Sequence, residues 1–287
     1  MPEATIGVIG GSGLYAMEGL TEVEEVTLTT PFGDPSDAFV LGTVSGQRVA
    51  FLPRHGRGHR FNPSEVPARA NTHAFKQLGV KYLIAVNAVG SLREDYAPSH
   101  VVIPDQIYDR TKGIRPATFF EGGVVAHVGF DRPFCPLLSQ RLYSAAQKAG
   151  ATVHQGGTLV VMEGPAFSTK AESEENRRRG HSLIGMTSLP EAKLAREAEI
   201  AYATLAMVTD YDVWHPDHDA VTIESVVAVL MANATLAQRI VATAVALIGD
   251  GFASPAHSAM ATAIITDRGR IPDAARERLA VIAGQYL

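Results

Sequence analysis

Two carboxylates at the end of one apolar run are the residues in this sequence best placed to meet a ligand. Residues 201–214 read AYATLAMVTDYDVW, and the run stops at Asp210 and Asp212. Ligands of open α/β sheets bind beyond the carboxyl ends of the strands. A carboxylate that emerges from an apolar strand is costly unless it has a partner, and a bound ligand would supply one. The structural alternative is a helix N-cap, where an Asp satisfies free backbone N–H groups.

A glycine-rich turn near the start of the chain offers a different chemistry, the binding of an anion. Gly10-Gly11-Ser12-Gly13 follows the first apolar run. Glycines let backbone N–H groups approach an anion closely, and the hydroxyl of Ser12 adds a donor. A dinucleotide fingerprint would need a third glycine where Ala16 stands, so that motif is absent. A plain glycine-rich turn is the alternative.

A basic pair follows another predicted strand. Arg54 presents a fixed fork of donors suited to phosphate, and His55 can donate a further hydrogen bond. The basic run continues through Arg57, His59 and Arg60, and we interpret those three mainly as a local positive patch or lid. A solvated surface pair is the alternative for Arg54 and His55.

Three more segments combine small and polar residues at the ends of predicted strands: Asn87-Ala88-Val89-Gly90-Ser91, Glu163-Gly164-Pro165-Ala166-Phe167-Ser168 and Gly185-Met186-Thr187-Ser188. Small residues again expose backbone N–H groups to a ligand. Phe167 is either a core residue or the flat wall of an aromatic-ligand pocket. Thr187, at a helix N-terminus, suits an anion, and Met186 suits the apolar floor under a ribose.

Short apolar runs rich in Val and Ile alternate with helical patterns along the whole chain. Several runs lack polar residues, as expected for strands covered on both faces. The predicted strands are 6–9, 48–52, 82–86, 101–103, 158–162, 183–185 and 202–208; the predicted helices are 69–78, 137–148, 170–179, 189–199, 222–248 and 272–285. Ser188 and Glu191 have the spacing of a capping box. The alternation predicts one α/β domain.

Bulk properties exclude several classes of function. The chain has 287 residues, a net charge of −5 and one cysteine, Cys135. It therefore has no global basic field for nucleic acid and no intrachain disulfide. It starts without the pattern of a signal peptide and has no run long enough to span a bilayer, so we expect a cytoplasmic protein. The ten histidines are scattered. We expect neither a metal site nor an organic cofactor.

Taken in order, the strand-end segments resemble the trimeric purine nucleoside phosphorylase family. The matching segments are Gly10–Gly13, Arg54-His55, Asn87–Gly90, Gly164–Ser168, Gly185–Thr187 and Thr209–Asp212, with Thr30–Gly33, Pro35–Asp37, Asp105-Gln106 and Pro133–Pro136 in support. The resemblance covers residues 5–250. It implies a single phosphorylase domain over 1–287, built as a three-layer sandwich whose central mixed, partly barrel-like sheet is flanked by helices. Residues 254–287 match no family pattern and form an extension of unclear role.

The resemblance also implies a reaction and residue roles. The reaction is phosphorolysis of 5′-methylthioadenosine to adenine and 5-methylthioribose 1-phosphate, with inorganic phosphate as co-substrate. Asp210 and Asp212 would face the purine N7 and the 6-amino group, and a buried, protonated Asp210 would give its proton to N7. The phosphate site implied comprises Ser12, Arg54, His55, Asn87, the backbone N–H of Ala88 and Thr187. Phe167 and Ser168 would line the base, and Met186 would lie under the ribose.

Within the family, three positions distinguish substrates. Members that cleave 6-oxopurine nucleosides carry Asn at the position of Asp210 and Glu at that of Ser168, so this pair points to 6-aminopurines. Ile223, Val226 and Val227 lie at i, i+3, i+4 spacing on a helix, and an apolar face there suits a 5′-methylthio group. Ordinary helix core is the alternative for the two valines. The resemblance further implies that His127 reaches a neighbouring subunit's 5′ pocket, and hence a homotrimer.

Two residues depart from the pattern of the family, and two rival functions stay open. Asn87 matches the 6-oxopurine branch of the family, and Ala166 occupies a position that is often Arg. The nearest rival function is phosphorolysis of 6-oxopurine nucleosides such as methylthioinosine, inosine or guanosine. The rival from another class is a non-catalytic nucleotide-binding module, which the missing third glycine disfavours.

Overall fold

A computed structural model describes residues 3–11, 13–14, 17–216 and 223–287, with the backbone alone described for 223–228 and 230–233. The described strands are β1 (Ile6–Gly10), β2 (Thr21–Val26), β3 (Phe39–Val44), β4 (Gln47–Pro53), β5 (Tyr82–Ser91), β6 (Val101–Ile103), β7 (Gln106–Arg110), β8 (Val153–Gln155), β9 (Thr158–Met162), β10 (Leu183–Gly185) and β11 (Ala201–Asp210). The described helices are α1 (Ala68–Gln77), α2 (Pro136–Lys148), α3 (Lys170–Arg178), α4 (Ser188–Glu197), α5 (Ile223–Ile248) and α6 (Asp273–Ala283).

One mixed sheet collects these strands, in the order β2-β3-β4-β1-β5-β10-β9-β7. The sheet branches at β5, which also pairs with β11, and β11 leads on to β6 and β8. β1 is parallel to β4 and to β5, and β5 is parallel to β11. The carboxyl ends of these four strands therefore lie at one edge, while β10 runs antiparallel to the end of β5 and brings its own following loop back along that strand.

Helices cover both faces of the sheet and give the three layers that the resemblance implied. One core cluster joins residues of α1, α4 and α6 to the sheet, and a second joins residues of α2 and α5 to the opposite face. Successive residues of β11 divide between them, since Ala206 and Val208 belong to the first cluster and Leu205 and Met207 to the second. A strand that is covered on both faces has a continuous apolar sequence, and for this reason β11 could be predicted.

All seven predicted strands and all six predicted helices are confirmed, and most differ by one or two residues at their ends. The exception is β5, which continues five residues beyond the predicted 82–86 and includes Asn87–Ser91, the segment expected to follow that strand. Four strands were not predicted: β2, β3, β7 and β8. The sequence of β2 is TEVEEV, and five of its six residues are exposed at an edge of the sheet. Edge strands carry charged residues that discourage aggregation, so their hydrophobic pattern is weak.

The predicted capping box at the start of α4 is wrong. Thr187 is the N-cap of that helix and makes no capping hydrogen bond with its side chain. Glu191 instead bonds to Arg54 and to the hydroxyl of Tyr202. A capping box does occur one helix earlier, between Thr169 and Glu172 at the start of α3.

The C-terminal segment 254–287 packs on the first core cluster and is tied to the end of α4. Glu199 accepts hydrogen bonds from the backbone N–H of Met260 and from the hydroxyl of Tyr286, both at 2.9 Å. Backbone hydrogen bonds also join Ala263 to His127 and Ile265 to Val125. The segment therefore fixes the stretch of chain that carries His127.

Close packing at Gly7 in β1 gives a test of the core. A Cβ atom at Gly7 would lie 2.8 Å from two ring carbons of the fully buried Phe75 and 3.1 Å from Cδ1 of Leu83. We expect Gly7→Ala to lower the free energy of unfolding by about 1–3 kcal/mol, because overpacking forces side chains out of their rotamers. Gly129→Ala, whose Cβ would meet nothing within 4 Å, is the control and should change it by less than about 0.5 kcal/mol. Equal urea-unfolding midpoints for the two variants would contradict this packing.

Candidate active site

The end of β11 turns the carboxyl group of Asp210 towards β5. The register between the two strands shifts between Val208 and Asp210, so Asp210 pairs with Gly90. Such bulges re-aim side chains beside functional sites. A Cβ atom on Gly90 would lie 2.9 Å from Oδ1 of Asp210, so the glycine makes room for the carboxyl group.

Burial and hydrogen bonds act in opposite directions on Asp210. Burial raises the pKa of its carboxyl group, while the Thr209 hydroxyl and the backbone N–H of Asp212 lower it; the net shift is upward. The Thr209 hydroxyl donates to Oδ2 at 2.6 Å, and the N–H of Asp212 donates to Oδ1 at 2.8 Å. A carboxyl group in this setting holds its proton at higher pH than an exposed one, as a general acid requires.

Asp212 is a second buried acid beside the first. The residue is 7% exposed and has a φ of 52°, and its Oδ2 atom has no hydrogen-bond partner among the described residues. Burial raises the pKa of Asp212, and the hydroxyls of Ser173 and Ser168 partly offset that rise. A buried acceptor without a partner is costly, which makes Oδ2 suited to a ligand's N–H group.

Asn87 and Thr187 meet where β5 and the loop after β10 run side by side. Asn87 is 5% exposed, and its Nδ2 donates to the hydroxyl of Thr187 at 2.7 Å. Its Oδ1 is buried and, within the described part of the chain, unpaired. Ala88, the next residue of β5, is exposed. These residues therefore lie close together, and their membership of one phosphate site stays a prediction.

Arg54 lies in the protein interior, anchored by a carboxylate. It is 3% exposed, and its Nε and Nη2 atoms donate to the two carboxylate oxygens of Glu191 at 2.9 and 3.1 Å. Nη1 donates to the carbonyl oxygen of Val86 at 3.0 Å, and Nη2 also donates to that of Ile9 at 3.3 Å. One N–H of Nη1 is left without a partner among the described residues. The surface alternative for Arg54 is therefore wrong.

His55, next to Arg54, is held in the neutral form. Burial and the charge of Arg54 lower the pKa of His55 to about 4. The ring donates from Nδ1 to the carbonyl oxygen of Phe61 at 2.8 Å, which leaves Nε2 as a hydrogen-bond acceptor at neutral pH. The ring also stacks on His59, with centroids 4.2 Å apart.

The loops after β9 and β10 pack against each other. Met186 contacts Gly164 so closely that a Cβ atom on the glycine would lie 2.5 Å from the methionine sulfur. Ser168 is 9% exposed, whereas the ring of Phe167 is 41% exposed. The core alternative for Phe167 is therefore wrong, and its face is open to a ligand or to another subunit.

Sequence reasoning missed a buried arginine behind these two loops. Arg115 is 7% exposed, and its Nε donates to Oε1 of Glu163 at 2.7 Å. It also donates to the backbone carbonyl oxygens of Met186 and Leu189. No motif surrounds Arg115. The only signal was Glu163, an acid directly after the predicted strand 158–162.

Four predicted site residues fall outside what is described. Ser12 is one, and the side chains of Ile223, Val226 and Val227 on α5 are the others. His127 is exposed on the segment that the C-terminal extension fixes. Within the described ranges, no three His, Cys, Asp or Glu residues lie close enough together to hold a metal ion, and no helix is long and apolar enough to cross a membrane.

The chain is similar to known proteins over its whole length. A family model described as the phosphorylase superfamily matches residues 5–246. The sequence is 77% identical over 286 residues to S-methyl-5′-thioadenosine phosphorylase of Chloroflexus aurantiacus, covering 100% of this chain and 99% of that one. It is 57% identical over 284 residues to the protein of the same name from Koribacter versatilis, covering 99% and 97%.

Solved structures agree with these relatives. A methylthioadenosine phosphorylase from an antarctic soil metagenomic library superposes with a TM-score of 0.94 at 49% identity, covering 98% of this chain and 99% of that one. The methylthioadenosine phosphorylase of Schistosoma mansoni, solved with adenine, superposes with a TM-score of 0.82 at 36% identity, covering 87% and 93%.

The lowered pKa of His55 predicts a pH dependence of stability. A histidine whose pKa is lower in the folded protein than in the unfolded chain makes its full contribution to stability above pH 6.5, which is its pKa in the unfolded chain. As the pH falls from about 6.5 to about 4, the unfolded chain takes up the proton first, and the contribution of at most about 3 kcal/mol is lost. The free energy of unfolding of the parent should therefore fall more over this range than that of His55→Gln. A ring proton resonance that titrates near pH 6.5 would contradict the placement.

Proposed function

The chain belongs to the phosphorylase superfamily, and from this we propose that its strand-end site catalyses phosphorolysis of 5′-methylthioadenosine. The products are adenine and 5-methylthioribose 1-phosphate. The observation that carries the proposal is the partly buried Asp210 at the end of β11, whose pKa is raised. The bacterial relatives named S-methyl-5′-thioadenosine phosphorylase support the choice of substrate.

Cleavage of the glycosidic bond places its electron pair on the departing purine and positive charge on the ribose. Asp210 gives its proton to N7 of the purine and so neutralises the leaving group. Asp212, with its unpaired buried Oδ2, accepts a hydrogen bond from the 6-amino group. A phosphate oxygen then forms the new bond to C1′ from the opposite face. General acid catalysis of this kind contributes about 10²–10⁴-fold to the rate.

We assign the binding of phosphate to Ser12, His55, Asn87, the backbone N–H of Ala88 and Thr187. His55, neutral with Nε2 free to accept, takes the hydrogen bond of a protonated phosphate oxygen. The hydroxyl of Thr187 and the N–H of Ala88 supply donors. The burial of Arg54 limits its direct part to the remaining N–H of Nη1, while its positive charge still favours an anion.

The nucleoside occupies the other half of the site. Phe167 and Ser168 line the base, and Met186 lies beneath the ribose. We assign Ile223, Val226 and Val227 to the pocket for the 5′-methylthio group, to which His127 of a neighbouring copy contributes in a homotrimer. The exposed ring of Phe167 fits a place near a subunit boundary. Phosphate is a co-substrate, and the proposed reaction uses neither a metal nor an organic cofactor. We place the enzyme in the cytoplasm, where its single cysteine stays reduced.

A substrate panel with and without phosphate tests the function directly. We expect phosphate-dependent release of adenine from 5′-methylthioadenosine and little release of hypoxanthine from inosine, because Asp210 replaces the Asn that suits 6-oxopurines. Free base is quantified by chromatography after equal incubation times. Faster cleavage of methylthioinosine or inosine would shift the assignment to the 6-oxopurine branch. Binding of nicotinamide dinucleotides without any base release would favour a non-catalytic module.

Asp210→Asn separates catalysis from stability. Turnover of 5′-methylthioadenosine should fall by about 10²–10⁴-fold, because Asn has no proton to donate to N7. The free energy of unfolding should stay equal or rise, and the gain should grow with pH, because the parent loses stability as its buried carboxyl group ionises. Asp250→Asn, at an exposed residue, is the control and should leave both quantities unchanged. Parental turnover in Asp210→Asn would remove Asp210 from the acid role.

A further inference from the structure

Arg115 joins two loops of the site without lying in either. All three of its nitrogen atoms donate hydrogen bonds. Nε donates to the carboxylate of Glu163 and, at 3.3 Å, to the hydroxyl of Ser64. Nη1 donates to the carbonyl oxygens of Met186 and Leu189, and Nη2 donates to those of Met162 and Glu163. The guanidinium group therefore holds the end of β9 against the start of α4 through main-chain atoms.

Glu163 is the counter-charge that keeps Arg115 in place. Its Oε1 accepts from Arg115 and from the Ser64 hydroxyl, and its Oε2 accepts from the backbone N–H of Lys112 at 2.6 Å. Burial alone would raise the pKa of Glu163, but the hydrogen bonds from Ser64, Lys112 and Arg115 lower it below its ordinary value. The pair is therefore ionised and fully hydrogen-bonded, the condition under which a buried ion pair has a defined geometry.

The two loops that the pair joins carry one half of the proposed site. The loop after β9 leads from Glu163 to Phe167 and Ser168, and the loop after β10 carries Met186. Contact between Met186 and Gly164 already brings them together, and Arg115 fixes how far apart they sit. Any shift of Arg115 would change the spacing between the proposed base wall and the proposed ribose floor.

The other half of the site has an ion pair of its own. Arg54 and Glu191 connect the end of β4 to α4, and Glu191 accepts a further hydrogen bond from the hydroxyl of Tyr202 at 2.8 Å. Carbonyl oxygens of Val86 and Ile9 complete this anchor beside the proposed phosphate site. The two pairs thus hold different loops of the site. They share α4, whose N-cap residue Thr187 belongs to the phosphate half and directly follows Met186.

We propose that Arg115 and Glu163 are positioning residues for the nucleoside half of the site, and that they affect the binding of the purine nucleoside more than the binding of phosphate. The inference rests on the proposed phosphorolysis. Neither residue is assigned contact with a substrate. Loss of the pair misplaces the base wall relative to the ribose floor and leaves the Arg54–Glu191 anchor intact.

Two matched substitutions test the inference with little risk to folding. Ser64→Ala removes the hydroxyl that donates a hydrogen bond to Glu163, and Tyr202→Phe removes the hydroxyl that donates one to Glu191. Ser64→Ala should raise the KM for 5′-methylthioadenosine severalfold and change the KM for phosphate less. Tyr202→Phe should do the reverse. Glu163→Gln should raise the nucleoside KM and lower kcat by a combined factor of about 10², the size of effect that a displacement of about 1 Å produces.

Further measurements exclude a merely structural role. Glu163→Asp, which keeps the charge, should recover part of the activity lost in Glu163→Gln. A general loss of stability would instead lower the amount of active enzyme and leave both KM values unchanged. Calorimetry should show that Ser64→Ala weakens the binding of adenine alone more than the binding of inorganic phosphate alone, and that Tyr202→Phe has the opposite effect. Equal changes in both KM values for Ser64→Ala, or none in either Ser64→Ala or Glu163→Gln, would overturn the inference. A parent protein that releases no adenine in the presence of phosphate would instead refute the proposed function.

Discussion

Partial burial of the Asp210 carboxyl group at the end of β11 is the constraint from which the site follows. The strand is covered by helices on both faces, so its last residues emerge in apolar surroundings. Asp210 is therefore exposed to water less than a surface acid, and its pKa rises. Hydrogen bonds from Thr209 and from the N–H of Asp212 reduce the cost of ionisation without removing it. The same environment that disfavours the charge makes the proton available to a leaving purine.

The two buried arginine–glutamate pairs contribute more to geometry than to net stability. The cost of desolvating such a pair offsets most of its electrostatic attraction, and apolar residues of equal volume often stabilise a protein to the same extent. Their use here is that a guanidinium fork contacts several carbonyl oxygens at once. Arg54 bonds to main-chain atoms of two strands, and Arg115 bonds to main-chain atoms of two loops. The proposed phosphate and nucleoside halves are in this way held to a common helix, α4.

Much of the fold followed from sequence, because continuous apolar runs marked the buried strands. The polar residues at the ends of those strands are the basis of the proposed site. The edge strand β2 was missed because its three glutamates hide the pattern of a strand. Arg54 was recognised, but its burial was not, because Glu191 lies 137 residues away and was interpreted as part of a cap. Arg115 had no local signal at all, since five of its acceptors are main-chain or side-chain oxygens of the distant segments 162–163 and 186–189. Residue roles came from family resemblance and remain proposals.

The pKa of Asp210 is the quantity that bears most directly on the proposed acid. Carbon-13 resonances of labelled aspartate carboxyl groups can be followed by NMR as the pH is raised, with Asp210→Asn identifying the signal. The carboxyl group of Asp210 should titrate clearly above 3.8, the value of an unperturbed aspartate, and should remain protonated to higher pH when adenine is bound. A resonance that titrates at or below that value, and that does not respond to adenine, would contradict a buried proton donor at the end of β11.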